Sequence, residues 1–229
     1  MPRRPRVTSG TEIYHVMMRG INHQNIFEEP EDYYQFINIL DRMRTQYDDL
    51  GNPCGTNCTY YAYCLMSNHF HLLIRERDEK IGDTIKRIAG AYVYYYNHKY
   101  LRDGHLFKER FKSEPVNDIA YFTTLLRYIH QNPVKAGVVT QVKDYEYSSW
   151  GEYDGSVEPV FQICNTQTVV NRIPFNDFRI AGVSNSSEFQ KLDRGTQWQA
   201  FIQLKEFGAS VRQLQCLTGI DRGIIQRAR

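Results

Sequence analysis

Thr59-Tyr60-Tyr61-Ala62-Tyr63-Cys64-Leu65-Met66-Ser67-Asn68-His69-Phe70-His71-Leu72-Leu73-Ile74-Arg75 is the stretch that decides how this chain folds. Two runs rich in tyrosine and apolar residues are separated only by Ser67-Asn68, so the spacing predicts two strands joined by a tight turn. Side chains alternate along a strand, and His69 and His71 therefore project from the same face. Two imidazoles placed this way are able to grip one metal ion.

Working outward, residues 13–18 read as a first strand, ended by the turn Arg19-Gly20-Ile21-Asn22. A helix follows from Pro30, with Phe36, Leu40, Met43 and Tyr47 at three-to-four spacing, and Gly51-Asn52-Pro53 stops it. A second helix is expected over 81–100, apolar at Ile85, Ile88, Ala89, Tyr92 and Tyr96. Phe111 to Val116 reads as a fourth strand, and a helix from about Asp118 carries Tyr128 and ends at Pro133. The order β-α-β-β-α-β followed by a helix is the ferredoxin-like, split βαβ pattern: an α+β fold with an antiparallel sheet and an added helix. In that topology the first and third strands form the central pair, so His69 and His71 stand on a central strand. The two crossover helices cover one face and leave the other for the Tyr128 helix or for nucleic acid.

The 229 residues, 41% hydrophobic and 24% charged, suit a globular protein. No apolar run approaches the roughly 20 residues of a membrane span, so a cytoplasmic protein without membrane contact is expected. Five cysteines form an odd set without secretory context and are expected to be reduced. A net charge of +2 argues little about partners, but Arg3-Arg4-Pro5-Arg6, Lys108/Arg110/Lys112 and Arg222/Arg227/Arg229 form local basic stretches. Solvated surface charge is the plain alternative for each. Tyrosines crowd residues 92–100, where bases could stack, yet Tyr92 and Tyr96 at helical spacing fit a core.

Periodicity fades after Trp150. The expected organisation is a main domain over 1–155, a linker over 156–189 that includes Ser184-Asn185-Ser186-Ser187, and a small helical region over 190–229. Trp198, Phe201, Ile202 and Leu204 share one segment of that tail. Ser210-Val211-Arg212-Gln213 reads as a capping box, and Asp221 caps a last helix with Ile220 and Ile224 inward and Arg222, Gln226 and Arg227 outward. The pattern is that of a helix-turn-helix, with a plain helical tail as the alternative.

In a helix, Tyr128 and Asn132 lie on one face about 6 Å apart along the axis. They offer a nucleophile and an oxygen ligand. With the histidines they compose a metal-assisted, tyrosine-mediated attack on a phosphodiester. Each element also has a structural reading, since strand histidines commonly serve packing, and Tyr34 has the same offset to a polar amide as Tyr128. Cys54-x-x-x-Cys58 invites a zinc reading, but Cys58 and Cys64 fit strand positions better.

The ordered set Tyr14-His15-Val16, Arg19-Gly20-Ile21-Asn22, Met66-Ser67-Asn68-His69-Phe70-His71-Leu72-Leu73, Gly104-His105-Leu106-Phe107, Arg110-Phe111-Lys112-Ser113 and Tyr128-Ile129-His130-Gln131-Asn132-Pro133-Val134-Lys135-Ala136-Gly137 resembles the REP-associated tyrosine transposases. These belong to the HUH single-tyrosine superfamily, and the likeness covers roughly residues 5–153. The resemblance implies that Tyr128 forms a 5′-phosphotyrosine, that His69, His71 and Asn132 hold Mg²⁺ or Mn²⁺, and that single-stranded DNA and DNA hairpins of palindromic repeats are cut and rejoined. It places Arg19, Asn22, His105, Arg110 and Lys112 in segments expected to meet DNA, with Arg222, Gln226 and Arg227 added by the tail. The chain would act as a monomer or homodimer. The runner-up is a domesticated hairpin-binding regulator. A zinc-dependent base-modifying enzyme lacks its His-x-Glu and Cys-x-x-Cys pattern.

Overall fold

The computed structural model describes residues 7–157, 162–166, 169, 186–206, 214–215 and 218–228. The basic segment 3–6, the residues Ser184 and Asn185, the capping box 210–213, Cys216 and Arg229 lie outside the described residues, as does the side chain of Leu204. Two compact units are distinguished: Met1–Asn117 with Leu126–Thr166, and Asp118–Leu125 with Gln167–Arg229.

The first unit is built on a four-stranded antiparallel sheet. Its strands are β1 (Ile13–Arg19), β4 (Cys58–Met66), β5 (His69–Glu76) and β6 (Lys112–Pro115), in the order β4-β5-β1-β6. β1 and β5 are the central pair, as the split βαβ pattern requires. Met66 pairs with His69 across the two-residue turn Ser67-Asn68, which fixes the hairpin register.

Alternation along the strands divides the sheet into two faces. Tyr14, Val16 and Met18 of β1 and Phe70, Leu72 and Ile74 of β5 enter one core with Phe36, Ile39 and Leu40 of α1 (Pro30–Arg44) and Ile85, Ile88, Tyr92 and Tyr96 of α2 (Ile81–Lys99). Tyr92 and Tyr96 are thus core residues. Two tyrosine hydroxyls of this core find acceptors, Tyr92 donating to the Ile26 carbonyl and Tyr96 to Glu28. The opposite face carries His15, Met17 and Arg19 beside Leu73, His71 and His69.

Two helix ends depart from the sequence expectation. The first helix stops at Arg44, and Tyr47 stands exposed on a short strand, β2 (Thr45–Tyr47), paired with β3 (Pro53–Thr56). Asp48 accepts from the Leu50 and Asn52 amides, and Gly51 takes φ +81°, so local turn chemistry outcompetes another helical turn. The third helix, α3 (Ile119–Lys135), runs through Pro133 instead of ending there. Proline has no N–H for the Ile129 carbonyl, and the Asn132 amide supplies one in its place, with Nδ2 3.3 Å from that oxygen and 2.9 Å from the Tyr128 carbonyl. Gly137, at φ +72°, provides the left-handed stop.

The second unit contains the helices Ser186–Lys191, Arg194–Glu206 and Arg222–Arg227. Its core gathers Phe189, Phe201, Leu214, Ile220 and Ile225, with Trp198 and Ile202 packed against it. Asp221 caps the last helix, accepting from the Gly223 amide at 2.8 Å. Starting the helix there turns Ile225 inward and leaves Ile224 37% exposed, which corrects the expectation that Ile224 faces the core. Arg222, Gln226 and Arg227 are exposed as expected.

Candidate active site

The site is assembled by strand register. Across β5, β1 and β6, His71 lies beside Met17 and Lys112; one row along, Leu73 lies beside His15 and Glu114; one row the other way, His69 lies beside Arg19. Directly paired residues share a face. One surface therefore carries three histidines, the Arg19 and Lys112 cations and the Glu114 carboxylate.

The two histidines of the His-x-His pair present the same nitrogen. His69 Nδ1 is 2.6 Å from Asn68 Oδ1, and the Asn68 amide nitrogen donates to the His23 carbonyl, so the oxygen faces the ring. His69 thus donates from Nδ1 and keeps Nε2 as its lone pair. His71 Nδ1 is 2.9 Å from Nε2 of His15, and the two rings lie nearly in one plane, 14° apart, with centroids 5.1 Å from each other. Burial pulls His69 down to about 4, with the Arg19 cation adding to the shift. Burial also pulls His71 down to about 2, helped by His15, His69 and Arg19. Both rings are neutral at pH 7, the state in which imidazole ligates a metal.

Tyr128 comes to this surface from α3. Its neighbours Leu126 and Ile129 are buried, whereas Tyr128 is 38% exposed. Its ring stands edge-on to His71 and His15, with centroids 5.7 and 6.2 Å away. The Lys135 ammonium lies 4.9 Å from the centroid of the same ring, a cation–π contact across two helical turns. Asn132 makes no hydrogen bond to either histidine among the described residues. Its Nδ2 is committed to the helix carbonyls, which leaves Oδ1 as the free acceptor of the amide.

His130 serves the scaffold of the site. It is 3% exposed, held near 4 by burial, and its Nε2 lies 2.8 Å from Ser149 Oγ. Ser149 in turn exchanges hydrogen bonds with the Tyr63 backbone on the outer edge of β4. This anchors α3 over the sheet and covers an edge that would otherwise be open.

Among the described residues, no three His, Cys, Asp or Glu side chains converge as a ready metal cage. Neutral imidazole nitrogens and an amide oxygen are nonetheless donor types suited to a divalent cation, with the nitrogen content favouring Mn²⁺ over the harder Mg²⁺. The rival nucleophile Tyr34 is placed on α1, away from this face. Its hydroxyl donates to Glu146, and that contact pushes its pKa up to about 12.

Of the remaining expected DNA contacts, Asn22, His105 and Arg110 are exposed. Residues 106–108 are hydrogen-bonded to Arg19, Ile21 and Gln24, which brings this loop to the end of β1 that carries Arg19. Asn22 adopts φ +50°, a conformation asparagine tolerates. Gly20 is required there, because a Cβ would lie 2.3 Å from the Gln24 carbonyl oxygen. In the second unit, Arg227 borders a cavity of about 630 Å³ together with Arg194 and Trp198. His15 and Lys135 stand in the quoted motifs without an assigned role, and Glu114 in none; the alternation Tyr14-in, His15-out was the available signal for the first.

A ferredoxin-like sheet with two imidazoles on a central strand and an exposed phenol on the facing helix defines a class of site suited to nucleophilic attack at phosphorus. The chain belongs to the IS200-like transposase family, whose model matches residues 10–132, more than half its length. Membership implies a DNA-cleaving enzyme of DNA transposition. A protein of Haemophilus influenzae assigned as a REP-associated tyrosine transposase is 26% identical over 149 residues, covering 56% of this chain and 85% of that one. A solved REP-associated tyrosine transposase bound to a REP hairpin shares the fold, with a TM-score of 0.53 and 16% identity over 72% of this chain and 93% of that one. No helix among the described residues is long and apolar enough to cross a membrane.

Proposed function

We propose that this protein is an HUH-type single-strand DNA nickase and strand transferase that acts on hairpins of palindromic repeats through a 5′-phosphotyrosine. The observation that carries the reading is the exposed Tyr128 phenol standing edge-on to His71, on a helix that buries Leu126 and Ile129. A tyrosine used for packing would bury its ring, as Tyr60 and Tyr92 do.

In the proposed step the Tyr128 oxygen bonds to the scissile phosphorus, the bond from phosphorus to the 3′ oxygen breaks, and that oxygen leaves as a hydroxyl. The phenol loses one proton and the new 3′-hydroxyl gains one. Lys135 over the ring holds its orientation, and Arg19 and Lys112, on the same face, attract the phosphate backbone. His69 and His71 would hold a divalent cation, Mg²⁺ or Mn²⁺, with Asn132 Oδ1 as the oxygen donor, and that cation would supply polarisation of the phosphoryl oxygens. The covalent link conserves the energy of the cleaved bond for rejoining. Asn22, His105 and Arg110 are proposed to track the hairpin, and Arg222, Gln226 and Arg227 to meet flanking DNA from a separate helical region over 190–229.

The deciding experiment incubates the protein with an end-labelled hairpin carrying an unpaired flank, with Mn²⁺ or with chelator. Metal-dependent nicking and a protein-linked fragment are expected from the hairpin and not from a perfectly paired duplex. Tight binding without any cleavage would favour the hairpin-binding regulator instead.

A further inference from the structure

His15 occupies the row between Leu73 and Glu114, so one edge of its ring reaches His71 and the other faces β6. Nε2 lies 2.9 Å from His71 Nδ1, and Nδ1 lies 3.8 Å from Glu114 Oε2. We propose that Glu114 and His15 act as positioning residues that set the tautomer of His71 and keep its Nε2 bare for a divalent cation. The inference rests on the reading of His71 as a metal ligand.

Two arrangements of the ring protons compete. Neutral His15 and His71 each carry one N–H, and only one hydrogen fits between Nε2 of the first and Nδ1 of the second. In one arrangement His71 donates from Nδ1 to His15, whose own hydrogen then sits on Nδ1, toward the carboxylate. In the other, His15 donates from Nε2. His71 then carries its hydrogen on Nε2 and is useless as a ligand there, while a bare His15 Nδ1 faces an anion. The carboxylate favours the first arrangement through simple electrostatics. Burial keeps both rings neutral in support of this: it lowers His15 against the opposing pull of Glu114, and it lowers His71. Arg19 and Lys112 are the other charged groups paired on this face, and both are exposed. His69 reaches the same state independently, because its Nδ1 meets an oxygen that can only accept. Both histidines of the pair thus offer Nε2, as two ligands of one ion should. Partners of this kind tune metal affinity by about 10- to 100-fold.

The test uses the full chain and two readouts. Nitrogen NMR of the histidine rings in the metal-free protein reports which nitrogen of His71 is protonated, and calorimetry with Mn²⁺ alone reports affinity. The wild type should show the Nδ1–H form of His71. His15→Phe keeps a ring but removes the acceptor, and should weaken Mn²⁺ binding by about 10- to 100-fold while His71 moves toward the Nε2–H form. Glu114 has 66% of its side chain exposed, so Glu114→Ala should fold normally and give a smaller, several-fold loss with a mixture of tautomers. Glu114→Gln, whose amide oxygen still accepts, should recover most of it. Unchanged tautomer and affinity in Glu114→Ala and His15→Phe would overturn the relay while leaving the metal reading intact. A wild type that binds no Mn²⁺ would overturn the metal reading and the relay with it.

Discussion

Tyr128→Phe removes one oxygen and leaves the ring, and the structure lets its two consequences be separated by size. The ring keeps its contacts with His71, His15 and Lys135 at 5.7, 6.2 and 4.9 Å, since none of them involves the hydroxyl. The side chain is 38% exposed, and its hydroxyl makes no hydrogen bond among the described residues. Removing a solvated, unbonded hydroxyl should change stability by less than about 0.5 kcal/mol, which for a chain of this size is a shift of about 1–2 °C in Tm. Loss of the nucleophile should lower nicking by on the order of 10⁴-fold or more, about 5.5 kcal/mol of transition-state stabilisation. The assay pairs a 3′-labelled hairpin on denaturing gels, where a covalent adduct migrates with the protein, with fluorescence anisotropy for binding and a thermal melt. Expected is no adduct, unchanged hairpin affinity and an unchanged melt. An adduct that persists would place the nucleophile elsewhere; a melt lowered by many degrees, with affinity lost, would make Tyr128 a structural residue.

His69→Ala and His71→Ala should each abolish Mn²⁺-dependent cleavage, and full activity of either variant in chelator would refute the metal assignment. Asn132→Ala should lower stability by about 1 kcal/mol by leaving the Ile129 carbonyl without the donor that Pro133 lacks, and should also weaken the metal response; a variant as stable as the parent would refute the capping role. His130 is held near 4 by burial against about 6.5 in the unfolded chain, so the unfolded state binds more protons between those values. Its contribution to stability is complete above pH 6.5 and falls by about 1.4 kcal/mol per pH unit as pH drops toward 4, with His69 and His71 acting in the same direction; urea titrations from pH 7.5 to 4.5 that give a flat profile would contradict the burial of these rings. Arg222→Ala combined with Arg227→Ala should reduce the slope of log affinity against log salt by about 1.8 on long duplex-flanked DNA while leaving cleavage of a short hairpin unchanged, and an unaltered slope would make the tail a structural element.

The fold was legible because its decisive features are local. The turn Ser67-Asn68 between two strand-forming runs, the three-to-four spacing of Ile85, Ile88, Tyr92 and Tyr96, and Pro30 at a helix start each act within a few residues. Where the reading failed, a side chain rewrote the local rule. Asp48 built a turn that ended the first helix early, and Asn132 supplied the hydrogen bond whose loss would have ended α3 at Pro133. Ile225 replaced Ile224 in the core of the tail because a helix capped at Asp221 fixes its phase from that residue onward.

The site was legible only in part, for a different reason. His69 and His71 announce themselves by sitting two apart, and Tyr128 and Asn132 by sitting four apart. His15 and Glu114 carry no such mark. Alternation places His15 on the face away from Tyr14 and Val16, but which residue it meets depends on the register between β1 and β5, set across more than fifty residues of chain. A slip of one residue would turn His15 into the core and bring Tyr14 or Val16 beside His71. What prevents the slip is the apolar face. Val16, Phe70 and Leu72 are fully buried against α1 and α2, and exposing that set would cost several kcal/mol at about 1.5–3 kcal/mol for each side chain. The register that brings His15 to His71 is therefore fixed from the opposite side of the sheet, by residues that never touch the site.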